Sequence, residues 1–98
     1  MPPRPSPFTH GRSEVWDRAA LAREIRKVRQ RLGEHLRALR VERELSQEEA
    51  AEAIGIHPTH LQRLERGVGN ATVATLVAIA MAYEVTLPSL FKPSDERP

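Results

Sequence analysis

The chain has 98 residues, of which 40% are hydrophobic, 29% charged and 4% aromatic, and it contains no Cys. That is room for one small domain with an aliphatic core, and it excludes a disulfide framework, a Cys-ligated metal centre and a thiol nucleophile, as suits a reducing cytoplasm. The net charge is only +2, yet the pI is about 9.7, because nearly all the basic residues are Arg and stay charged to high pH.

Residues 1–12 hold Pro2, Pro3, Pro5 and Pro7, which neither continue a helix nor pair in a sheet, so a disordered arm is expected there. Residues 13–31 read as a basic helix, with Ser13 as N-cap and Glu14 and Asp17 in its first turn. Its apolar stripe, Leu21, Ile25, Val28, Leu32, Leu36 and Leu39, continues past residue 31 in steps of three and four. Gly33 interrupts the stripe. Two helices bending near Leu32 and Gly33 are favoured over one helix of about 30 residues, roughly 45 Å long. Trp16 would anchor the start of this segment, since an indole in water exposes a large apolar surface.

Ser46 and Glu49 form a capping box that opens a helix burying Ala50, Ala51 and Ile54, and Gly55 ends it. His57 then caps and Pro58 takes the first position of a short helix through Leu61 and Leu64, which Gly67 stops. Thr72 caps a further helix whose apolar residues Val73, Leu76, Val77, Ile79 and Ala80 suit the centre of a bundle. Pro88 opens a last turn that carries Leu87, Leu90 and Phe91 to the core. Residues 92–98 read as a frayed tail. No segment alternates with strand period, and no apolar run is long enough to span a bilayer. The fold expected is all-α.

Residues 32–91, LGEHLRALRVERELSQEEAAEAIGIHPTHLQRLERG and, two residues on, NATVATLVAIAMAYEVTLPSLF, resemble the Cro/C1-type (XRE) helix-turn-helix family of phage-repressor-like domains. The resemblance implies a five-helix DNA-binding domain, here with an additional N-terminal helix, and a helix-turn-helix proper at 46–67. Family members usually carry Leu where Ala50 stands, often Gly where Glu44 stands, and commonly Asn-Pro-Ser where this chain has Asn70-Ala71-Thr72. In the family's pattern Pro58, Thr59, His60 and Arg63 lie toward base edges, with Gln62 at the margin. Arg63 is the strongest candidate, because its planar fork can take guanine O6 and N7 together. Gln47 and Asn70 match backbone-contacting positions of the family. Ser46 and His57, at the two helix starts, and Arg43 and Arg66 are further candidates for phosphate. Arg40 and Glu65 match an internal ion pair of the family, and both are assigned to architecture.

The partner implied is double-stranded DNA, read by a homodimer on half-sites about one turn apart. Leu21, Ile25, Val28 and Leu32 have the steps of a heptad seam and could form the dimer contact or pack on their own domain. Tyr83 to Phe91 is a second candidate surface. Residues 18–43 carry nine basic residues against three Glu, a net +6, which either lies along phosphates or is a solvated face. His57 and His60 lack a third ligand for a metal, and His10 and His35 are expected to face solvent. No nucleophilic triad or phosphate-cradling loop is visible, so no enzyme activity, cofactor, metal or small-molecule ligand is expected. The expected protein is a cytoplasmic transcriptional regulator, a repressor resembling restriction-modification controllers or antitoxins, for which control of its own expression is expected. The competing reading is an adaptor that keeps the fold and binds a partner protein through its N-terminal helix.

Overall fold

A computed structural model describes residues 17–92. The expectations for the Pro-rich arm at 1–12, for Ser13, Glu14 and Trp16 and for the tail from 93 onward lie outside these residues. Among the described residues there are four α-helices, α1 (Arg18–Glu42), α2 (Gln47–Ile54), α3 (Pro58–Glu65) and α4 (Val73–Tyr83), followed by a 3-10 turn, Pro88–Phe91. The class is all-α, as expected, but with a different count of helices.

The difference arises in α1, where one uninterrupted helix of 25 residues, roughly 37 Å long, replaces the expected pair. Asp17 caps it from outside, its Oδ1 accepting from Ala20 N at 2.6 Å, so Asp17 is the cap and not a first-turn residue. Gly33 does not bend the helix. It sits where the last carbonyls of α3 press on α1: a Cβ at Gly33 would stand 2.6 Å from both Leu64 O and Glu65 O. The glycine is a closeness requirement between helices, and nothing in the local pattern separates that from a break.

The core is built from the buried faces of every element: Leu32 and Leu36 of α1, Ala50, Ala51 and Ile54 of α2, Leu61 and Leu64 of α3, Ile79, Ala80 and Tyr83 of α4, and Leu90. α1 packs on α3 and on the final turn, while α2 packs on α3 and α4. α4 is not enclosed on all sides, since Val73 and Met81 are more than 70% exposed. Its outer face is apolar and open. Leu32 lies in the core at 6% exposure, whereas Leu21, Ile25 and Val28 remain about 40% exposed, so the expected seam is divided between core and surface. Tyr83 and Leu90 are also spent on their own core, which removes them from the second candidate surface. His35 does not face solvent: it is half-buried and its Nε2 hydrogen-bonds the Lys92 carbonyl, tying α1 to the end of the final turn.

Candidate nucleic-acid interface

The pair α2 and α3 is set by local chemistry. Ser46 Oγ accepts from Glu49 N at 3.0 Å while Ser46 N donates to Glu49 Oε1 at 2.8 Å, completing the capping box. The Ser46 backbone N–H first, and its side chain second, hold the Glu49 carboxyl below its ordinary pKa. Gly55 turns the chain at φ 91, a conformation open to residues without a Cβ. His57 Nδ1 then accepts from Thr59 N at 3.0 Å, and Pro58 occupies the first turn of α3.

The faces of α3 follow from its period. Leu61 and Leu64 point inward at 0% and 1% exposure, leaving Thr59, Gln62 and Arg63 exposed on the outside and Pro58 and His60 half-buried. Among the described residues Arg63 makes only a long contact, Nη2 to Val68 O at 3.4 Å, so its fork is available. His60 is turned toward the following loop, with Nε2 2.9 Å from Asn70 O, which leaves it less free than Thr59 or Arg63 to reach a base.

Behind α3 lies the ion pair. Arg40 Nε and Nη2 donate to the two Glu65 carboxylate oxygens at 2.7 and 3.0 Å, and Nη1 donates to Leu45 O at 2.9 Å. The side chains are 14% and 4% exposed, and the bond to Glu65 raises the Arg40 pKa despite desolvation. Gln47 joins this network, its Nε2 donating to Glu65 Oε1 at 3.2 Å. One carboxylate thus fixes the start of α2, the end of α1 and the end of α3 against each other.

The phosphate candidates divide. Ser46 and His57 stand at the helix starts as caps, and both are exposed, as is Arg66 at the C-cap of α3. Asn70 Oδ1 accepts from Arg29 Nη2; because a guanidinium only donates, the Asn70 amino group is left as its outward donor. Arg43 already has partners within the fold. Its Nη1 donates to Leu39 O at 3.0 Å, its Nη2 to Tyr83 O at 2.6 Å, and its guanidinium lies 5.2 Å from the Tyr83 ring centroid. It clamps the C-terminal ends of α1 and α4, where unpaired carbonyls favour a cation. The Arg29–Asn70 and Gln47–Glu65 bonds join residues 41 and 18 positions apart, and no spacing rule signals either.

The arrangement, a capped helix, a left-handed glycine turn and a second helix with a polar outer face, is one that can enter a major groove. Residues 36–90 match the helix-turn-helix family model. Control protein C.SmaI of Serratia marcescens is 36% identical over 63 residues, covering 64% of this chain and 75% of that protein. The uncharacterized HTH-type transcriptional regulator y4dJ of Sinorhizobium fredii is 39% identical over 71 residues, covering 72% of this chain and 92% of that protein. Among solved structures, the hypothetical transcription factor NHTF from Neisseria superposes with a TM-score of 0.68 at 31% identity, over 71% of this chain and 80% of that one. In the light of that match, which spans more than half of its length, the chain belongs to the Cro/C1-type (XRE) helix-turn-helix family of DNA-binding transcriptional regulators.

Proposed function

We propose that this regulator is a sequence-specific, dimeric repressor that places α3 in the major groove of an operator, with Arg63 and Thr59 reading base edges and Gln62 beside them. The observation that carries the reading is the exposed polar face of α3, Thr59, Gln62 and Arg63, held rigid from behind by the Arg40–Glu65–Gln47 network. Pro58 adds shape but no donor, and His60 contributes through the loop it binds. Gln47, Ser46, His57, Asn70 and Arg66 supply backbone contacts around the head; Arg43 does not. The Serratia relative is named a control protein, which supports a regulatory role, and the regulator is read as acting on its own expression. Dimerisation uses Leu21, Ile25 and Val28, a stripe about 40% exposed on the half of α1 that precedes the core. The protein acts in the cytoplasm, where its operator lies; no described helix is long and apolar enough to cross a membrane. We assign it no catalytic role and no cofactor. The adaptor reading is less favoured, since it requires none of Gln47, Arg63 and Asn70, and all three are present.

Selection of bound sequences from a random duplex pool tests the proposal. A two-fold symmetric motif with half-sites about one helical turn apart is expected, and Arg63→Ala should relax one base pair of each half-site by about 1–3 kcal/mol. Absence of an enriched motif, or an unchanged motif with Arg63→Ala, refutes sequence-specific reading by α3.

A further inference from the structure

The N-terminal half of α1 passes the turn that follows α3, and between them lies a cleft of about 470 Å3 lined by Arg26, Arg29, Gln30, Arg66, Gly67 and Val68 among others. Among the described residues, three arginines line it and no Asp or Glu does. The approach is close. A Cβ at Gly67 would stand 3.3 Å from Gln30 Cα and 3.5 Å from the Arg29 carbonyl oxygen, and Gly67 adopts φ 77, so this turn reaches α1 because residue 67 has no side chain.

The three cations are not equivalent. Arg29 has an internal task, donating to Asn70 Oδ1, and so ties the N-terminal half of α1 to the loop after α3. Arg26 and Arg66 make no ion pair among the described residues, and both are exposed. Like charges gathered at a cleft repel unless an anion lies between them. Arg66 is the C-cap of α3, so the cleft opens beside the end of the helix that reads the groove. Any duplex held by α3 brings phosphates to this neighbourhood, whereas a free anion has no such tether.

The geometry points to a phosphodiester site in this cleft: Arg26 and Arg66 hold a backbone phosphate of the duplex that α3 enters, and Arg29 is a positioning residue that fixes Asn70 beside it. The inference rests on the DNA-binding reading above and gives the basic half of α1 a defined share in it. Two guanidinium contacts to phosphate contribute about 1.8 to the slope of log affinity against log salt. Their removal should weaken binding more at low salt, so that the ratio of parent to variant affinity changes by about twelvefold between 50 and 200 mM salt.

The test is fluorescence anisotropy of the full chain on a labelled duplex of arbitrary sequence across a salt series. Arg26→Gln with Arg66→Gln should reduce the slope by about 2 and leave the selected sequence motif unchanged. Arg18→Gln with Arg23→Gln removes the same total charge from α1 outside the cleft, and should leave the slope nearly unaltered. Thermal melts of both double variants should match the parent, since all four side chains are exposed. An unchanged slope for the cleft variant, or an equal fall for the control, overturns the site. If the cleft variant fails to change the slope while Arg63→Ala still alters the motif, the cleft assignment falls and the reading of α3 stands. If the parent binds no duplex, both fall. Inorganic phosphate is the other arm: binding of phosphate alone at the Arg66 amide by NMR, with the duplex slope unchanged in the cleft variant, assigns the site to a free anion and overturns the duplex proposal.

Discussion

Gly33→Ala separates two physical accounts of one residue. In the interior of an exposed helix this change stabilises by about 1 kcal/mol, because Ala restricts the unfolded chain and Gly does not. Here the new Cβ would stand 2.6 Å from two carbonyl oxygens at the end of α3, about 0.8 Å short of ordinary contact with each. Both are backbone atoms, so no rotamer change relieves the overlap. α3 must move from α1, and the Arg40 bonds to Glu65 at 2.7 and 3.0 Å cross the same interface and stretch with it. Overpacking of this kind costs about 1–3 kcal/mol or more; with the helical gain set against the upper end, the net loss is about 2 kcal/mol. Melting should then fall by roughly 8–16 °C for a domain of this size. Urea unfolding followed by far-UV circular dichroism reads the free energy directly. A variant as stable as the parent, or more stable, would show that the contact between α1 and the end of α3 is looser than described.

Arg40→Met leaves the Glu65 carboxylate, 4% exposed, with only Gln47 as a partner, and should cost about 3–5 kcal/mol in denaturant unfolding; a loss below about 1 kcal/mol would place the pair in solvent. The Tyr83 hydroxyl is buried without a hydrogen-bond partner among the described residues, so Tyr83→Phe should keep or raise stability by up to about 1 kcal/mol while retaining a ring beneath Arg43. Burial, followed by the Glu65 carboxylate, pushes the Tyr83 pKa above 10.0. The phenol then stays protonated in the folded chain when the unfolded chain ionises, so its contribution is complete below pH 10 and is lost as pH rises toward the folded value. Phe at this position should flatten the alkaline limb of stability against pH, and an unchanged limb would refute the assignment of that limb to Tyr83.

Much of the molecule was legible from neighbours in the chain. Caps and turns are reactions between residues two to five apart, so Ser46 with Glu49, Gly55, His57 with Pro58, and Thr72 placed α2, α3 and the start of α4 without tertiary knowledge. The period of 3.6 residues placed Leu61 and Leu64 inside and Thr59, Gln62 and Arg63 outside. Glu44 was visible only as a departure from the family's glycine; its φ of 54 shows why glycine is common there, the end of α1 turning through a left-handed residue.

The sequence by itself determined the helical class, the family and the outward face of the reading helix, because those depend on periodicity and on hydrogen bonds closed within one or two turns. Only the tertiary structure decided that α1 is continuous, that Gly33 admits the carbonyls of α3, and that Arg43 clamps two helix ends. It also decided that the modest net charge of +2 conceals three arginines lining one cleft. Each of these is a meeting of residues far apart in the chain, and local pattern carries no term for what a side chain will find across a helix interface.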